Sequence, residues 1–216
     1  MLGNRFSLIL TLLVGATTPS LAQKSYFGAL HDSTNFDGTE KILSAYDISE
    51  FTGFKIDDEA NGFTLVYGRP IKNNASLELT YAETGELGIS APVGATYTRP
   101  EKGTKTVTTH SELNAEAIVI GAAVLGPVFS TELVTSFVRV GLDYYESEIT
   151  AKYGAIEVGG LKYGKQQKGL APSFAAGVDI KVSKDISLRA QYKWYGFDVM
   201  DDYKLDTLSF GLLGRF

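Results

Sequence analysis

The chain has 216 residues and a formal net charge of −5, and it contains 23 glycines, 12 tyrosines, 12 phenylalanines and no cysteine. A chain without cysteine forms neither disulfides nor cysteine-ligated metal sites, and the acidic balance argues against a nucleic-acid partner, which requires a basic face. The mean hydropathy is close to zero, which is too polar for a bundle of transmembrane helices and is typical of strands that alternate apolar and polar residues.

The first 22 residues predict a secretory signal peptide. Arg5 supplies the basic start, residues 6–15 are almost all apolar, and Ser20-Leu21-Ala22 places small residues at both positions that define a cleavage site. The apolar run is shorter than the roughly 20 residues that a membrane-spanning helix needs. We therefore assign 1–22 to the signal peptide and 23–216 to one exported domain.

Beyond the signal peptide, the dominant hydrophobic period is two residues. In 75–83, for example, Leu77, Leu79 and Tyr81 alternate with small or polar residues, as expected for a two-faced strand. An even number of such strands can close into an antiparallel barrel that has no open edge. In chain order, the eight segments with this alternation are 24–31, 62–71, 75–83, 112–125, 132–145, 172–182, 186–196 and 205–216.

The predicted connections alternate between short turns and long polar segments. In a barrel of adjacent antiparallel strands, this alternation places all the long connections at one end, which is the extracellular end in outer-membrane barrels. The short turns are predicted at 72–74, 126–128 and 183–185, and the long connections at 32–60, 84–111, 146–170 and 197–204.

The size of the side chains indicates which strand face points inward. The interior of an eight-stranded barrel is narrow, so the face with small and polar residues is assigned to the lumen and the bulky apolar face to lipid. The sequence thus predicts an all-β, eight-stranded antiparallel up-and-down transmembrane β-barrel. A soluble lipocalin-like barrel, with the opposite polarity, is the less favoured alternative. The aromatic residues expected at the membrane interfaces are Tyr67, Tyr81, Tyr144, Tyr192, Trp194 and Phe216.

Several charged residues share the predicted lumen face. An unpaired charge in a tight lumen is costly, so these side chains must pair with one another or reach water. We predict that four of them form one buried ion-pair network that plugs the lumen, and the alternative is the gate of a small-solute or ion channel. The four are Glu78, Arg139, Asp179 and Arg189, and Glu116, Asp143 and Lys193 are further candidates for the same face.

The sequence offers little for catalysis. It has two histidines, His31 and His110, and the neighbouring residues His110 and Ser111 would point to opposite faces of a strand. No metal-ligand spacing, phosphate loop or nucleotide fingerprint is present, so we predict no enzymatic activity, no cofactor and no metal. A lipid A-modifying barrel enzyme remains an alternative. Residues 32–60 are rich in carboxylates, which predicts a solvated surface more strongly than a cation site.

Four stretches carry a resemblance to a known family: SLELTY at 76–81, APSFAAGVDIKV at 171–182, ISLRAQYKW at 186–194 and LSFGLLGRF at 208–216. Over residues 24–216 the sequence resembles the eight-stranded outer-membrane barrels of the outer-membrane protein A type, also called porin-like barrels.

The resemblance implies a cell outer membrane location in a Gram-negative bacterium, export through the periplasm, and contact with outer-membrane lipid and lipopolysaccharide. It places Glu78, Asp179 and Arg189 at positions of a charged lumen network. It also implies that the terminal Phe216 is the signal read by the barrel assembly machinery. We expect a monomer with structural and surface-interaction roles.

Overall fold

The computed structural model describes residues 24–37, 48–57, 59–71, 75–153, 162–196 and 204–216. The predicted signal peptide 1–22 and the predicted turn at 72–74 lie outside these residues.

The described residues form thirteen β-strands. No helix among them is long and apolar enough to cross a membrane. The strands are β1 Tyr26–Asp37, β2 Glu50–Thr52, β3 Lys55–Asp57, β4 Glu59–Pro70, β5 Ser76–Glu83, β6 Leu87–Ala91, β7 Thr96–Arg99, β8 Gly103–Thr106, β9 Ser111–Ser130, β10 Val134–Tyr153, β11 Lys162–Lys181, β12 Ile186–Tyr195 and β13 Lys204–Arg215.

Eight of these strands close into one antiparallel barrel. Their order around the barrel is β1, β4, β5, β9, β10, β11, β12 and β13, and β13 pairs again with β1. This closing pair extends from Tyr26 opposite Arg215 to Asp37 opposite Lys204, so the first and last strands have partners on both sides. The structure confirms the predicted eight-stranded antiparallel barrel.

The two ends of the barrel differ in their connections. The paired strand ends Pro70 and Ser76 and the short connections 131–133 and 182–185 lie at one end, called here the turn end, together with Tyr26 and Arg215. The opposite ends of the same strands form the other end of the barrel, called here the loop end. There β6 continues the wall by pairing with β9, and β3 pairs with β6. The strands β2, β7 and β8 form a separate three-stranded sheet beside a small core of Ala91, Ala95 and Val107.

The predicted turn at 126–128 is wrong, because β9 continues to Ser130 and the chain reverses at residues 131–133. Phe137 faces Pro127 and the next pair joins Ser136 to Phe129, so the register skips Val128 and forms a β-bulge. Glycine and proline are common in turns, but proline lacks a backbone N–H donor and is also tolerated at a bulge. At the actual turn, the Thr131 hydroxyl accepts the Val134 backbone N–H at 2.9 Å.

The alternation of faces is clearest on β12, where five inward residues are buried and five outward residues are not. Outward apolar residues such as Leu188 and Trp194 are exposed, as expected for a surface that meets lipid. Glu116 does not share the lumen face, because it is exposed between the buried Ala115 and Ala117. The misassignment arose on β9, where apolar residues occupy both faces.

Gly68 makes room for the Tyr26 ring inside the barrel. The two residues are direct partners across β1 and β4, and a Cβ added to Gly68 would overlap the ring. Tyr26 is buried and packs with Leu30, Val66 and Leu213. The absence of a side chain at Gly68 therefore allows an aromatic residue to occupy a narrow lumen.

We predict that Gly68→Ala destabilises the barrel by about 1–3 kcal/mol, the usual cost of forcing an extra group into a packed interior. The measurement is urea unfolding of the folded chain in lipid vesicles. Gly214→Ala is the matched control, because an added Cβ there would meet only the Phe27 carbonyl oxygen, at 3.9 Å. Equal stability of the two variants would contradict the packing argument.

Candidate functional site

The structure brings the four predicted lumen charges together. Glu78 lies on β5, Arg139 on β10, Asp179 on β11 and Arg189 on β12. All four are buried, and the two arginines are only 1% and 2% exposed. These four residues are called here the arginine network.

Arg189 contacts both carboxylates of this network. Its Nε lies 2.7 Å from Asp179 Oδ1 and its Nη2 lies 3.0 Å from Asp179 Oδ2. The two groups therefore form a bidentate ion pair. Its Nη1 donates to Glu78 Oε1 at 2.5 Å. Asp179 and Arg189 are direct partners across β11 and β12, so the strand register itself brings this pair together.

Glu78 joins the two arginines across the lumen. Its Oε2 accepts from Arg139 Nε at 3.2 Å, while its Oε1 accepts from Arg189. Arg139 also donates to Thr80 Oγ1 at 3.2 Å. Two carboxylates and two guanidinium groups thus balance in charge, and they connect β5 with the opposite wall.

Two aromatic residues complete the network, and the sequence analysis missed both. The Tyr26 hydroxyl donates to Glu78, and the Arg189 guanidinium carbon lies 4.6 Å from the centre of the Phe137 ring, within cation–π distance. Phe137 is a large apolar residue on the lumen face of β10, which otherwise carries small or polar side chains over 135–143, and it lies directly opposite Gly177. This exception to the small-residue pattern is the signal that could have identified it.

A second group of buried polar residues lies nearer the loop end and is called here the upper layer. Lys193 Nζ lies 2.7 Å from Asp143 Oδ2 and 3.9 Å from the centre of the Tyr195 ring. Asp32 accepts a hydrogen bond from Thr64 Oγ1 at 2.5 Å. Asp143 and Lys193 are therefore lumen residues, as expected from the sequence, but they pair with each other and not with the arginine network.

A cavity of about 380 Å³ lies at the turn end of the barrel. It is lined by the exposed side chains of Lys181 and Lys184 and also by the buried pair Asp179 and Arg189. The arginine network therefore borders a space with a basic wall.

The histidines do not form a catalytic arrangement. His110 Nε2 lies 2.9 Å from Glu112 Oε1 on an exposed surface, whereas the Ser111 hydroxyl donates to the Thr109 carbonyl oxygen. His31 points out of the barrel and packs edge-on against Phe210. Within the described ranges, no cluster of three or more His, Asp or Glu side chains is placed to hold a metal ion.

Phe216 stands at the seam of the barrel. Its backbone N–H donates to the Ser25 carbonyl oxygen at 2.9 Å, which extends the pairing of the first and last strands to the final residue. The residue is 69% exposed, and it has the same strand parity as the outward residues Phe210 and Leu212. The ring therefore lies on the outer surface at the turn end.

Comparison with solved structures shows the same fold in other bacterial barrels. The attachment invasion locus protein Ail of Yersinia pestis, solved in complex with the heparin analogue sucrose octasulfate, is 15% identical with a TM-score of 0.54, and the alignment covers 91% of this chain and 100% of Ail. Neisserial surface protein A is 15% identical with a TM-score of 0.55, over 89% of this chain and 97% of that protein. At this identity the likeness shows the fold alone. Comparison with curated proteins gives no significant match.

The protein family is assigned by a match to a family model, because the solved structures are too distant in sequence to assign it. Residues 8–216 match the model described as the outer membrane protein beta-barrel domain. Since this match spans nearly the whole chain and agrees with the closed eight-stranded barrel, the protein belongs to the family of outer membrane β-barrel proteins, which reside in the outer membrane of Gram-negative bacteria.

Proposed function

We propose that this protein is a non-conducting, non-enzymatic surface barrel, which reaches the outer membrane through the periplasm as a monomer. In this proposal the arginine network plugs the lumen and stiffens the wall, while the loop end faces outward and contacts lipopolysaccharide or other surface partners. The observation that carries the proposal is the bridging of two arginines by Glu78 inside a narrow barrel.

The closure of the lumen is supported by how completely the network is buried and paired. Arg189 makes three hydrogen bonds to carboxylate oxygens, and a cation held in this way has little freedom to move aside for a solute. The channel alternative requires a continuous wet path. The near-zero exposure of Glu78 and Arg139 weighs against such a path.

The surface role is supported by ordered structure at the loop end. The hairpin of β7 and β8 pairs Thr96 with Thr106 and Arg99 with Gly103, and all four residues of β8 are exposed. An exposed sheet of this kind offers side chains to a partner without first having to order a loop. Among the acidic residues of the predicted long connections 32–60 and 197–204, Asp58, Asp198, Asp201 and Asp202 lie outside the described residues.

The first prediction from this proposed function tests whether the arginine network acts as one unit. Arg189→Met removes the main partner of Asp179, and breaking a buried pair costs about 3–5 kcal/mol because a buried charge is left uncompensated. The double variant Asp179→Asn/Arg189→Met restores charge balance and keeps the Glu78–Arg139 pair. We therefore expect it to lose less stability than the sum of the single variants, measured by urea unfolding in lipid vesicles.

The control for this cycle is the exposed pair of Lys24 and Asp185 at the turn end. Lys24→Met and Asp185→Asn should couple weakly, because exposed ion pairs contribute little. If the losses at Asp179 and Arg189 simply add, the network does not act as a unit. Discrete conductance of the unmodified chain in planar bilayers would favour the channel alternative instead.

The second prediction concerns orientation. The chain has no cysteine, so Lys105→Cys on β8 and Ser183→Cys in the 182–185 turn each introduce a single thiol. On intact cells, a membrane-impermeant maleimide should label Lys105→Cys and should label Ser183→Cys only after the outer membrane is opened. The reverse pattern would place the loop end in the periplasm.

The third prediction concerns assembly. Deleting Phe216 should lower the amount of folded barrel in the outer membrane but leave refolding in detergent intact, because we propose that the assembly machinery reads this exposed ring. Phe210→Ala is the matched control, since it removes another exposed aromatic of β13 and keeps the terminus. Equal membrane levels of the truncated and full-length chains would contradict the prediction.

A further inference from the structure

The buried charges of the barrel do not balance. In the part of the chain that the structure describes, four carboxylates and three cationic side chains are buried. One negative charge is therefore left over in the lumen, where an uncompensated charge is costly. The carboxylates are those of Asp32, Glu78, Asp143 and Asp179, and the cations are Arg139, Arg189 and Lys193.

The excess charge belongs to the upper layer. The arginine network contains two carboxylates and two arginines in direct contact, so it is neutral by itself. The upper layer has one cation, Lys193, and this cation pairs with Asp143. Asp32 is 1% exposed, and its Oδ2 has a neutral partner in the Thr64 hydroxyl.

Two buried oxygens mark the place where the positive charge is missing. Asp32 Oδ1 and Gln191 Oε1 have no hydrogen-bond partner among the described residues, and Gln191 is 6% exposed. The oxygens of Asp143 also lack a hydrogen bond, but that carboxylate has the Lys193 ammonium beside it. Ser209 of β13 lies directly between them, because it pairs with Asp32 on one side and with Gln191 on the other. A carboxylate, a hydroxyl and an amide oxygen thus follow one another across three adjacent strands on the lumen face.

We propose that Asp32, Ser209 and Gln191 bind a small monovalent cation of the sodium class inside the barrel. Carboxylate, hydroxyl and carbonyl-type oxygens are the ligands that hard cations prefer. A monovalent ion fits because the excess is a single charge. The site lacks the three or more acidic or imidazole side chains that would favour a divalent ion.

A water molecule and a proton on Asp32 are simpler alternatives to a bound cation at this site. A water molecule donating to both orphan oxygens would satisfy their hydrogen bonds but would leave the charge of Asp32 uncompensated. A proton on Asp32 would neutralise the charge, and it is the rival that an experiment must exclude. The two rivals differ from a bound cation in how stability responds to salt and to pH.

The test is urea unfolding of the full chain in phosphatidylcholine vesicles, with sodium chloride exchanged for N-methyl-glucamine chloride at constant ionic strength. For one site that exists only in the folded barrel, a tenfold rise in sodium above its dissociation constant raises the folding equilibrium constant by about tenfold. Asp32→Asn should abolish this dependence. Glu116→Gln, which removes an exposed outward carboxylate, should keep it.

Gln191→Leu gives a second test, because it removes one oxygen ligand and no charge. We expect it to fold and to require at least about tenfold more sodium for the same gain. If Asp32→Asn does not fold, Gln191→Leu still tests the proposal. A stability that is independent of sodium in the unmodified chain, or the same dependence in Gln191→Leu, would overturn the proposal. A stability that ignores sodium but falls as pH rises would assign the charge to a proton on Asp32 instead.

Discussion

Eight strands enclose so little space that each inward side chain must be packed or paired, and this constraint organises the rest of the molecule. Water cannot solvate lumen charges freely, so Glu78 and the two arginines find partners across the barrel. The same constraint explains why large inward residues face glycines. Tyr26 lies opposite Gly68 and Phe137 opposite Gly177. The polar interior and the uneven residue sizes are two results of one narrow cylinder.

Strand register connects this constraint to the chemistry. Asp179 meets Arg189 because the two residues are direct partners on adjacent strands, and Ser209 lies between Asp32 and Gln191 for the same reason. A slip of one residue would turn every such side chain to the lipid face. The charged lumen therefore penalises wrong pairings of the strands, in addition to any stability that it contributes.

The sequence predicts the features that follow from hydrophobic period and side-chain size. It does not predict those that depend on distances between strands in the folded barrel. Alternation on β5 and β12 is regular, so the inward placement of Glu78 and Arg189 could be read directly. Glu116 could not be placed in this way, because Val119 and Ile120 make both faces of β9 apolar.

Two further features could not be predicted from the sequence for the same reason. Gly126-Pro127 is compatible with a turn or a bulge, and only the pairing with β10 distinguishes them. The separation of Asp143 and Lys193 from the arginine network depends on distances across the lumen, which a linear pattern does not contain. The loop-end limits of two strands were also set short, because alternation weakens there: β10 continues to Tyr153 and β11 begins at Lys162, whereas the predicted segments end at 145 and begin at 172.

The length of β9, β10 and β11 has a mechanical consequence. Each contains 20 residues, whereas a tilted strand crosses the hydrocarbon layer with about 9–11 residues. Roughly half of each strand therefore lies outside the hydrocarbon, and at about 3.3 Å per residue it extends some 30 Å along the strand. A paired sheet resists bending far more than a loop does. Backbone positions on this extension are therefore held at fixed heights and spacings above the lipid, and little conformational entropy is left in them.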